Sequence, residues 1–526
     1  MAVARAMIAI GIDLGTTFSV VAHFDGSAAP RVIVAPDGRA ITPSVVHIDH
    51  ERVVVGAEAN ALGLADPDRV VRGIKRHMGT GFTLGFDGAE YTPETVSALI
   101  LKALADNAAA ALGCPAGELA AVVTVPAYFG VTEREATAQA VRLAGLTLLD
   151  LVAEPVAAAA CYGAGRTASG AVLVFDLGGG TFDTTVLRIT AGVPEVVVTD
   201  GDSQLGGLDW NDRLGELLWE KFSAAMESGT AEDAAVDPGF AEALAAAAER
   251  AKIALTGRDS VPVVLEYAAE RRIVQLTRAE FEAATAPLVG NCLTVADRAL
   301  AAARSRGAGR LERILLVGGA TRMPMIRAAL AAHFGVGVAV FEPDLAVAKG
   351  AAMHAYHLAA PSHPALPAGA AGRVLAAPVR TVLPRALGIL LHDSRDPSGE
   401  GRVVHHVVEA NTALPVRNSR ARFATVRDGQ DRIRVEVYEQ AGAVASSDPG
   451  HNRRVLDGEL VDVPPLSAGS PIDIVFDIGA DGRISCTATE PNSGRRLVLE
   501  SYMEGVLDAA DSARQQALLA RLRVRL

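Results

Sequence analysis

Two segments of this chain repeat one chemical scheme, and that repetition constrains the fold more than any other feature. Ile10-Gly11-Ile12-Asp13-Leu14-Gly15-Thr16-Thr17 closes one apolar strand and is followed by another, Val20-Val21-Ala22. Leu173-Val174-Phe175-Asp176-Leu177-Gly178-Gly179-Gly180-Thr181-Phe182-Asp183 repeats the order strand, Asp, glycine turn, Thr, strand. Glycines let backbone N–H groups come close to an anion, and threonine hydroxyls can donate to phosphate oxygens. An Asp beside each turn can hold Mg²⁺ through its waters, since that hard cation prefers oxygen and keeps its hydration. Two such hairpins would grip one polyphosphate from opposite sides. Either alone reads equally well as an ordinary glycine hairpin; their recurrence in the same chemical order argues against that. Neither matches G-x-x-x-x-G-K-[ST], so a P-loop is not the mechanism.

At 526 residues the chain is too long for one ordinary core, and half of its residues are apolar, enough for two or more packed domains. Its 49 basic and 61 acidic side chains give a formal charge of -12, which repels phosphate backbones and anionic lipid. Neither nucleic acid nor a membrane is expected as a partner. Cys114, Cys161, Cys292 and Cys486 are scattered without paired spacing, so neither a disulfide framework nor a zinc site is expected. The apolar N-terminus is broken by Asp13 and a Gly-Thr turn and reads as a buried strand, not a signal peptide. No apolar run approaches the roughly 18 residues needed to span a bilayer. The expected location is cytoplasmic.

Residues 1–359 alternate short β-rich runs with Ala-rich helical stretches such as Thr95–Leu112 and Phe240–Leu255, which reads as α/β. Residues 360–381, rich in Ala, Pro, Gly and Ser, read as a linker. From 382 to 500 helical patterning vanishes, and Arg432-Ile433-Arg434-Val435-Glu436-Val437-Tyr438 alternates polar and apolar as a strand buried on one side does. Asp481-Gly482 and Asn492-Ser493-Gly494 read as hairpin turns. Residues 501–526 hold a single short amphipathic helix at most, over Val506–Leu526.

The two hairpins resemble the phosphate loops of the actin, sugar-kinase and heat-shock-protein-70 ATPase superfamily. Further segments resemble the chaperone branch, in its order: Gly73-Ile74-Lys75-Arg76, Val123-Thr124-Val125-Pro126-Ala127-Tyr128-Phe129, Ala153-Glu154-Pro155-Val156, Gln204-Leu205-Gly206-Gly207-Leu208-Asp209, Glu249-Arg250-Ala251-Lys252 and Leu316-Val317-Gly318-Gly319-Ala320-Thr321-Arg322. The resemblance implies an actin-like ATPase domain of α/β class, a duplicated ribonuclease H-like fold, followed by an all-β sandwich that binds peptides. It implies a slow ATPase, using ATP/ADP and Mg²⁺, that acts as a chaperone on unfolded or extended apolar peptides. A J-domain co-chaperone and a nucleotide exchange factor are the implied helpers.

Carried over residue by residue, the family's roles make Asp13 and Asp176 the carboxylates that reach Mg²⁺ through water. Thr16, Thr17 and Thr181 become hydroxyls around the β- and γ-phosphates. Lys75 resembles the lysine that positions the attacking water, and Glu154 with Asp176 the carboxylates that orient water and metal. Without their motifs, Lys75 and Glu154 would read as ordinary solvated side chains. Phosphoryl transfer mainly needs in-line placement and positive charge near the leaving oxygens, which suits this set. Gly15, Gly178, Gly179, Gly180, Gly206, Gly207, Gly318, Gly319, Arg322 and Asp344 match phosphate and sugar turns. Glu249, Lys252 and Thr256 fall on one helical face as ribose and adenine contacts. Pro126 and Arg134 resemble the pair that reports nucleotide state, although they also read simply as a strand end and a helix-face charge. In the β domain, Ile389, Leu391, Phe423, Val426, Ile433 and Val435 would line a groove for an extended apolar peptide; apolar strand residues are otherwise usually core.

Several residues depart from the family pattern. Ile253 stands where an adenine-stacking Arg is usual, Ala320 replaces a Ser, and Phe18 replaces an Asn. Val374-Leu375-Ala376-Ala377-Pro378-Val379-Arg380 replaces the Leu-rich linker, His392–Gly401 is remodelled, and the long helical lid is missing. These departures keep a second reading open: a nucleotide-responsive adaptor with weak or uncoupled ATPase, recognising a dedicated protein partner. A small-molecule kinase on the same fold is less suited, since nothing marks a substrate pocket with a general-base Asp.

Overall fold

The computed structural model describes residues 7–526 apart from 27–28, 164–169, 191–192, 225–227, 269, 360–380, 397–399, 443–444, 480–481 and 501–508. The expected linker and its Val374–Arg380 stretch therefore lie almost wholly outside the described residues, as do Asp481 and the start of the last segment.

The repeated hairpins open two sheets of the same design. In the first, Ile8–Asp13 pairs antiparallel with Phe18–His23 and parallel with Leu119–Val125; Arg31–Val32 and Thr147–Ala153 complete the two edges. In the second, Gly170–Leu177 pairs antiparallel with Phe182–Thr190 and parallel with Leu311–Val317; Val193–Asp202 and Gly337–Val340 complete the edges. Strand order and sense coincide, so the sequence echo belongs to a repeat of whole sheets. The central strands are near-continuous apolar runs because helices cover both faces.

Helix Ala346–Ala359 packs against Ile8–Asp13 and against helix Glu154–Gly163, and it does so at backbone distance. A Cβ on Gly11 would lie 2.1 Å from the Ala352 nitrogen, and one on Gly350 would lie 1.9 Å from the Ala157 carbonyl oxygen. The small-residue run of this helix is thus what lets it wedge between the two sheets.

Local signals set the other helices. Thr92 caps Pro93–Leu112, with proline at its first position, and Asp237 does the same for Pro238–Gly257. Thr277 and Glu280 form a reciprocal capping box at the start of Arg278–Ser305. Pro93–Leu112 is, among the described residues, one helix that by length and composition could cross a membrane, although Glu94, Lys102 and Asp106 interrupt its apolar run. Its buried side chains, Val96, Leu99, Ile100, Leu101 and Leu104 among them, sit in the core with Ile10, Ile12 and Val123.

Residues 387–500 form two four-stranded antiparallel sheets over one core. One has the order Arg402–Val408, Leu387–His392, Ile433–Gln440, Asn452–Leu460; the other runs Val416–Ala424, Pro471–Ile478, Ile484–Thr489, Arg496–Glu500. Pro471–Ile478 alternates half-buried and buried without a break. At the Asn492-Ser493-Gly494 turn the Glu490 carboxylate accepts from the N–H groups of Asn492 and Ser493 at 2.9 and 2.6 Å.

The end of the chain holds the one short helix expected within Val506–Leu526 and adds a strand that was not. Helix Ala509–Leu519 is followed by a strand, Arg523–Arg525, that pairs parallel with Arg52–Val55 of the N-terminal region. Arg521 to Leu526 alternates Arg with Leu or Val; Leu522, Val524 and Leu526 turn inward and the three arginines outward. A period of two suits a strand with one face on a core, and a helix would have scattered those apolar side chains around its axis.

Candidate active site

The turns of the two hairpins meet face to face. A Cβ on Gly179 would fall 1.7 Å from Thr17 Oγ1, and one on Gly180 would fall 2.4 Å from Thr16 Cγ2, so only glycine allows this approach. The turn at Gly206-Gly207 closes behind them: the Gly207 and Leu208 N–H groups donate to the carbonyls of Gly178 and Gly179 at 2.9 and 2.7 Å.

Between them lies a cavity of about 330 Å³. It brings together Asp13, Gly15, Thr16, Thr17, Lys75, Glu154, Asp176, Gly178, Gly179, Thr181, Gly207, Glu249, Lys252, Thr256, Gly318, Gly319, Arg322 and Asp344. Gly180 and Gly206 do not line it; they pack on each other behind the wall.

Lys75 is carried on a short 3-10 turn, Ile74–His77, and its Nζ donates to Glu154 Oε1 at 2.6 Å with both side chains almost fully buried. The Phe129 ring lies 5.8 Å below the ammonium. Around this one pair stand three more buried carboxyls. Burial, with Glu154 next, pushes Asp13 up to about 7 even though Thr124 Oγ1 donates to it at 3.0 Å. The same two causes raise Asp183 to about 7, and burial with Glu154, Asp183 and Asp13 nearby holds Asp176 well above the carboxylate range. Sequence reasoning missed Asp183, whose Oδ1 accepts from the Tyr128 N–H at 2.8 Å.

Asp176 Oδ2, Asp183 Oδ2 and Thr17 Oγ1 are buried without a hydrogen-bond partner. Unpaired buried polar atoms are costly, so this set suits a site completed by a ligand. Asp176 and Thr17 line the cavity, where a hydrated divalent cation beside phosphate oxygens would supply positive charge and bound-water donors to the one and an acceptor to the other. The residues present fit Mg²⁺ with a nucleoside polyphosphate.

The far end of the cavity is formed by helix Pro238–Gly257. Lys252 is held there by its Nζ, which donates to the Gly207 carbonyl at 2.8 Å; burial pulls its ammonium down to about 8, against Glu249. Arg322 is clasped by Asp344, Nε to Oδ2 at 3.1 Å. Ile253 also lines the cavity and is 60% exposed, as does Phe18 at the mouth. A guanidinium at position 253 would lie over the same opening. Ile253→Arg should therefore tighten ATP binding about five- to tenfold by adding a stacking cation. Calorimetric titration of both proteins is the check; an unchanged or weaker affinity would place the base elsewhere.

Pro126 and Arg134 flank one loop. The Pro126 carbonyl accepts from the Phe129 N–H at 3.1 Å, and Arg134 Nε donates to the Phe129 carbonyl at 3.2 Å. Arg134 also reaches the β-sandwich, where Gly482 faces its Cδ. Here lies an interface that sequence reasoning missed. Glu133 on the N-terminal side and Glu439 on the sandwich share Arg385 and Arg453: Arg453 bonds Glu133 at 2.9 Å and Glu439 at 3.0 Å, and Arg385 bonds Glu133 at 3.3 Å. Glu439 also accepts from the Val131 N–H at 3.0 Å, and the Arg385 guanidinium sits 4.5 Å over the Tyr128 ring. Burial favours a neutral Glu133, yet Arg385 and Arg453 together hold it below its usual range.

Ile389, Leu391, Phe423, Val426, Ile433 and Val435 line a common cavity of about 270 Å³ at one end of the sandwich. Ile389 and Val435 line it and are also buried members of the sandwich core, while Val426 is 52% exposed.

The family profile described as Hsp70 protein matches residues 9–85 and 82–516. The chain is similar to the proteins named Chaperone protein DnaK of Thermotoga petrophila, Thermotoga maritima and Thermotoga neapolitana. Each is 37% identical over 500 residues, covering 92% of this chain and 79% of the relative.

Proposed function

The chain belongs to the Hsp70 family, and on that premise we propose an ATP-dependent chaperone in which residues 1–359 hydrolyse ATP to ADP and phosphate. We read this part as an actin-like, duplicated ribonuclease H-like domain, joined through 360–381 to a peptide-binding sandwich over 382–500. The observation that carries the reading is the pair of glycine hairpins in contact beside a cavity lined by Asp176 and Thr17, whose buried Oδ2 and Oγ1 have no hydrogen-bond partner among the described residues.

In this reading Gly15, Thr16, Thr17, Gly178, Gly179 and Thr181 hold the phosphates. Asp13 and Asp176 hold Mg²⁺ through its waters. When bound, Mg²⁺ neutralises charge on the β- and γ-phosphate oxygens. Lys75, fixed by Glu154, presents its ammonium toward the attacking water and the γ-phosphoryl; Glu154 and Asp176 orient that water by accepting its hydrogens. Glu249, Lys252, Thr256, Arg322 and Asp344 frame the nucleoside.

Asp13→Asn and Asp176→Asn should each lose about tenfold or more in Mg²⁺-dependent turnover, because each removes a negative oxygen aimed at the hydrated ion. Turnover titrated with Mg²⁺ is the measurement, and a rate indifferent to Mg²⁺ would sink the two-hairpin assignment.

The sandwich cavity takes an extended apolar segment of an unfolded protein, with Leu391, Phe423, Val426 and Ile433 as its walls. A J-domain co-chaperone and a nucleotide exchange factor complete the cycle, in the cytoplasm. The adaptor reading is favoured by one observation, the buried four-charge contact that fixes the sandwich on the ATPase domain. ATP turnover with and without an unfolded apolar peptide separates the two: stimulation by the peptide supports the chaperone, and indifference supports the adaptor.

A further inference from the structure

The small sheet formed by Val46–Asp49, Arg52–Val55 and Val70–Val71 would end in an open edge at Arg52–Val55 without a further strand. Open edges present unpaired N–H and C=O groups that invite pairing. Arg523–Arg525 fills that edge in parallel register, Arg523 opposite Arg52 and Arg525 opposite Val54, and the Arg523 N–H donates to the Glu51 carbonyl at 2.7 Å. Leu519 and Leu522 are buried in the same core as Val53, Leu99 and Ile100. Gln515 bridges two elements, accepting from Thr95 Oγ1 at 2.8 Å and donating to the Glu90 carbonyl at 3.1 Å. Arg525 is paired with Glu58.

These contacts are sequence-specific, and all of them are made to the N-terminal domain. No residue of 509–526 lines the groove of the sandwich. The sandwich therefore leaves one attachment at its start and returns to a second, because the chain beyond Glu500 re-enters the core of the domain it came from. Only eight residues separate Glu500 from Ala509, a reach of at most about 30 Å.

We propose that Ala509–Leu526 is a clasp: an integral strand and helix of the ATPase domain that limits how far the sandwich can move from it in any nucleotide state. Two tethers confine a domain to the positions both can reach, so the docked arrangement is favoured without added contacts at the interface itself.

The test uses the full chain with a protease site placed within 501–508, cut after folding so that every packed residue stays in place. Hydrogen exchange should show the Arg523 and Arg525 amides slow before and after the cut, with ATP and with ADP. Small-angle scattering should give the intact chain a radius of gyration close to the roughly 24 Å of a compact chain of this length, nearly equal in the two nucleotides. Cutting should raise it by about 2 Å or more in at least one of them. Arg523→Pro, which removes the N–H that donates to the Glu51 carbonyl, should act like the cut. Amides of 523–525 that exchange at free-peptide rates would overturn the docking. A cut that leaves the radius unchanged, or an intact chain that already expands as much as the cut one, would overturn the restraint. Neither readout needs ATP turnover, so an inactive ATPase would not be mistaken for a failed clasp.

Discussion

Lys75→Ala is expected to slow single-turnover ATP hydrolysis at least about a hundredfold while changing ATP binding far less. A hundredfold corresponds to roughly 2.7 kcal/mol of transition-state stabilisation. The geometry supports an effect of that size. Lys75 is 5% exposed and is the cation that faces Glu154 at 2.6 Å. Around that contact Asp13, Asp176 and Asp183 are all raised by burial and by one another's charge or that of Glu154. In so dry and acidic a setting one fixed ammonium interacts strongly with charge that develops on a phosphoryl group, whereas nucleotide affinity is spread over many backbone and side-chain contacts. Quench-flow under single-turnover conditions, with affinity measured separately, is the experiment. Hydrolysis like that of the unchanged protein would remove Lys75 from the mechanism; equal losses in affinity and rate would make it a binding residue.

The nucleotide site was legible because its parts are local in sequence. A strand, an Asp, a glycine turn and a Thr are neighbours in the chain, and the turn forces them together wherever the strand goes. Gly178 to Thr181 and Gly15 to Thr17 are readable for that reason, and the structure brings all of them except Gly180 into one cavity. Asp183 was hidden by the opposite circumstance: its environment comes from Tyr128, Glu154 and Asp176, none of them close to it in the chain except the last. The end of the chain shows the same limit. Arg521-Leu522-Arg523-Val524-Arg525-Leu526 alternates as a strand should, but six residues can also cap a helix. What decides between them lies far away; the contact of Arg525 with Glu58 joins residues 467 positions apart. Glu439 closes an alternating strand, and nothing nearby tells that its partners are Val131 and two arginines. Ile389 and Val435, carried over from the family's groove, line the sandwich cavity and belong to its core at once, because groove and core use the same apolar strand pattern.

Glu439→Ala should undock the sandwich from the ATPase domain. Glu439 is fully buried and has three partners: the Val131 N–H at 3.0 Å, Arg453 at 3.0 Å and Arg385 at 3.6 Å. Its loss leaves the buried Arg385 and the partly exposed Arg453 sharing Glu133, and a bare N–H at the start of helix Val131–Leu143. Breaking a buried charge pair from one side typically costs about 3–5 kcal/mol, a change of roughly 10²-fold or more in the docking equilibrium. Because Glu439, Arg385 and Arg453 all belong to the sandwich, water reaches them once it separates, so the penalty falls mainly on the docked state and less on the sandwich fold. With the chain also cut within 501–508, so that the clasp no longer confines the sandwich, scattering should then report a further expansion, and calorimetry two thermal transitions in place of one. Glu439→Gln, which keeps an acceptor for Val131 but not the charge, should fall between. Acid should weaken the same contact. Glu133 is held below its usual range by the two arginines, so its contribution is present above the ordinary carboxylate value and is lost as pH falls through the lower, docked-state value. The consequence can extend to the nucleotide. Phe129, at the start of the same loop, lies under the Lys75 ammonium, so a sandwich that pulls on Val131 and Glu133 acts on the loop that carries that ring. If docking and nucleotide binding share this loop, each must shift the other by the same factor. A Glu439→Ala chain cut within 501–508 that is no more expanded than the cut chain with Glu439, and melts in a single transition, would show that the four-charge contact does not hold the domains together.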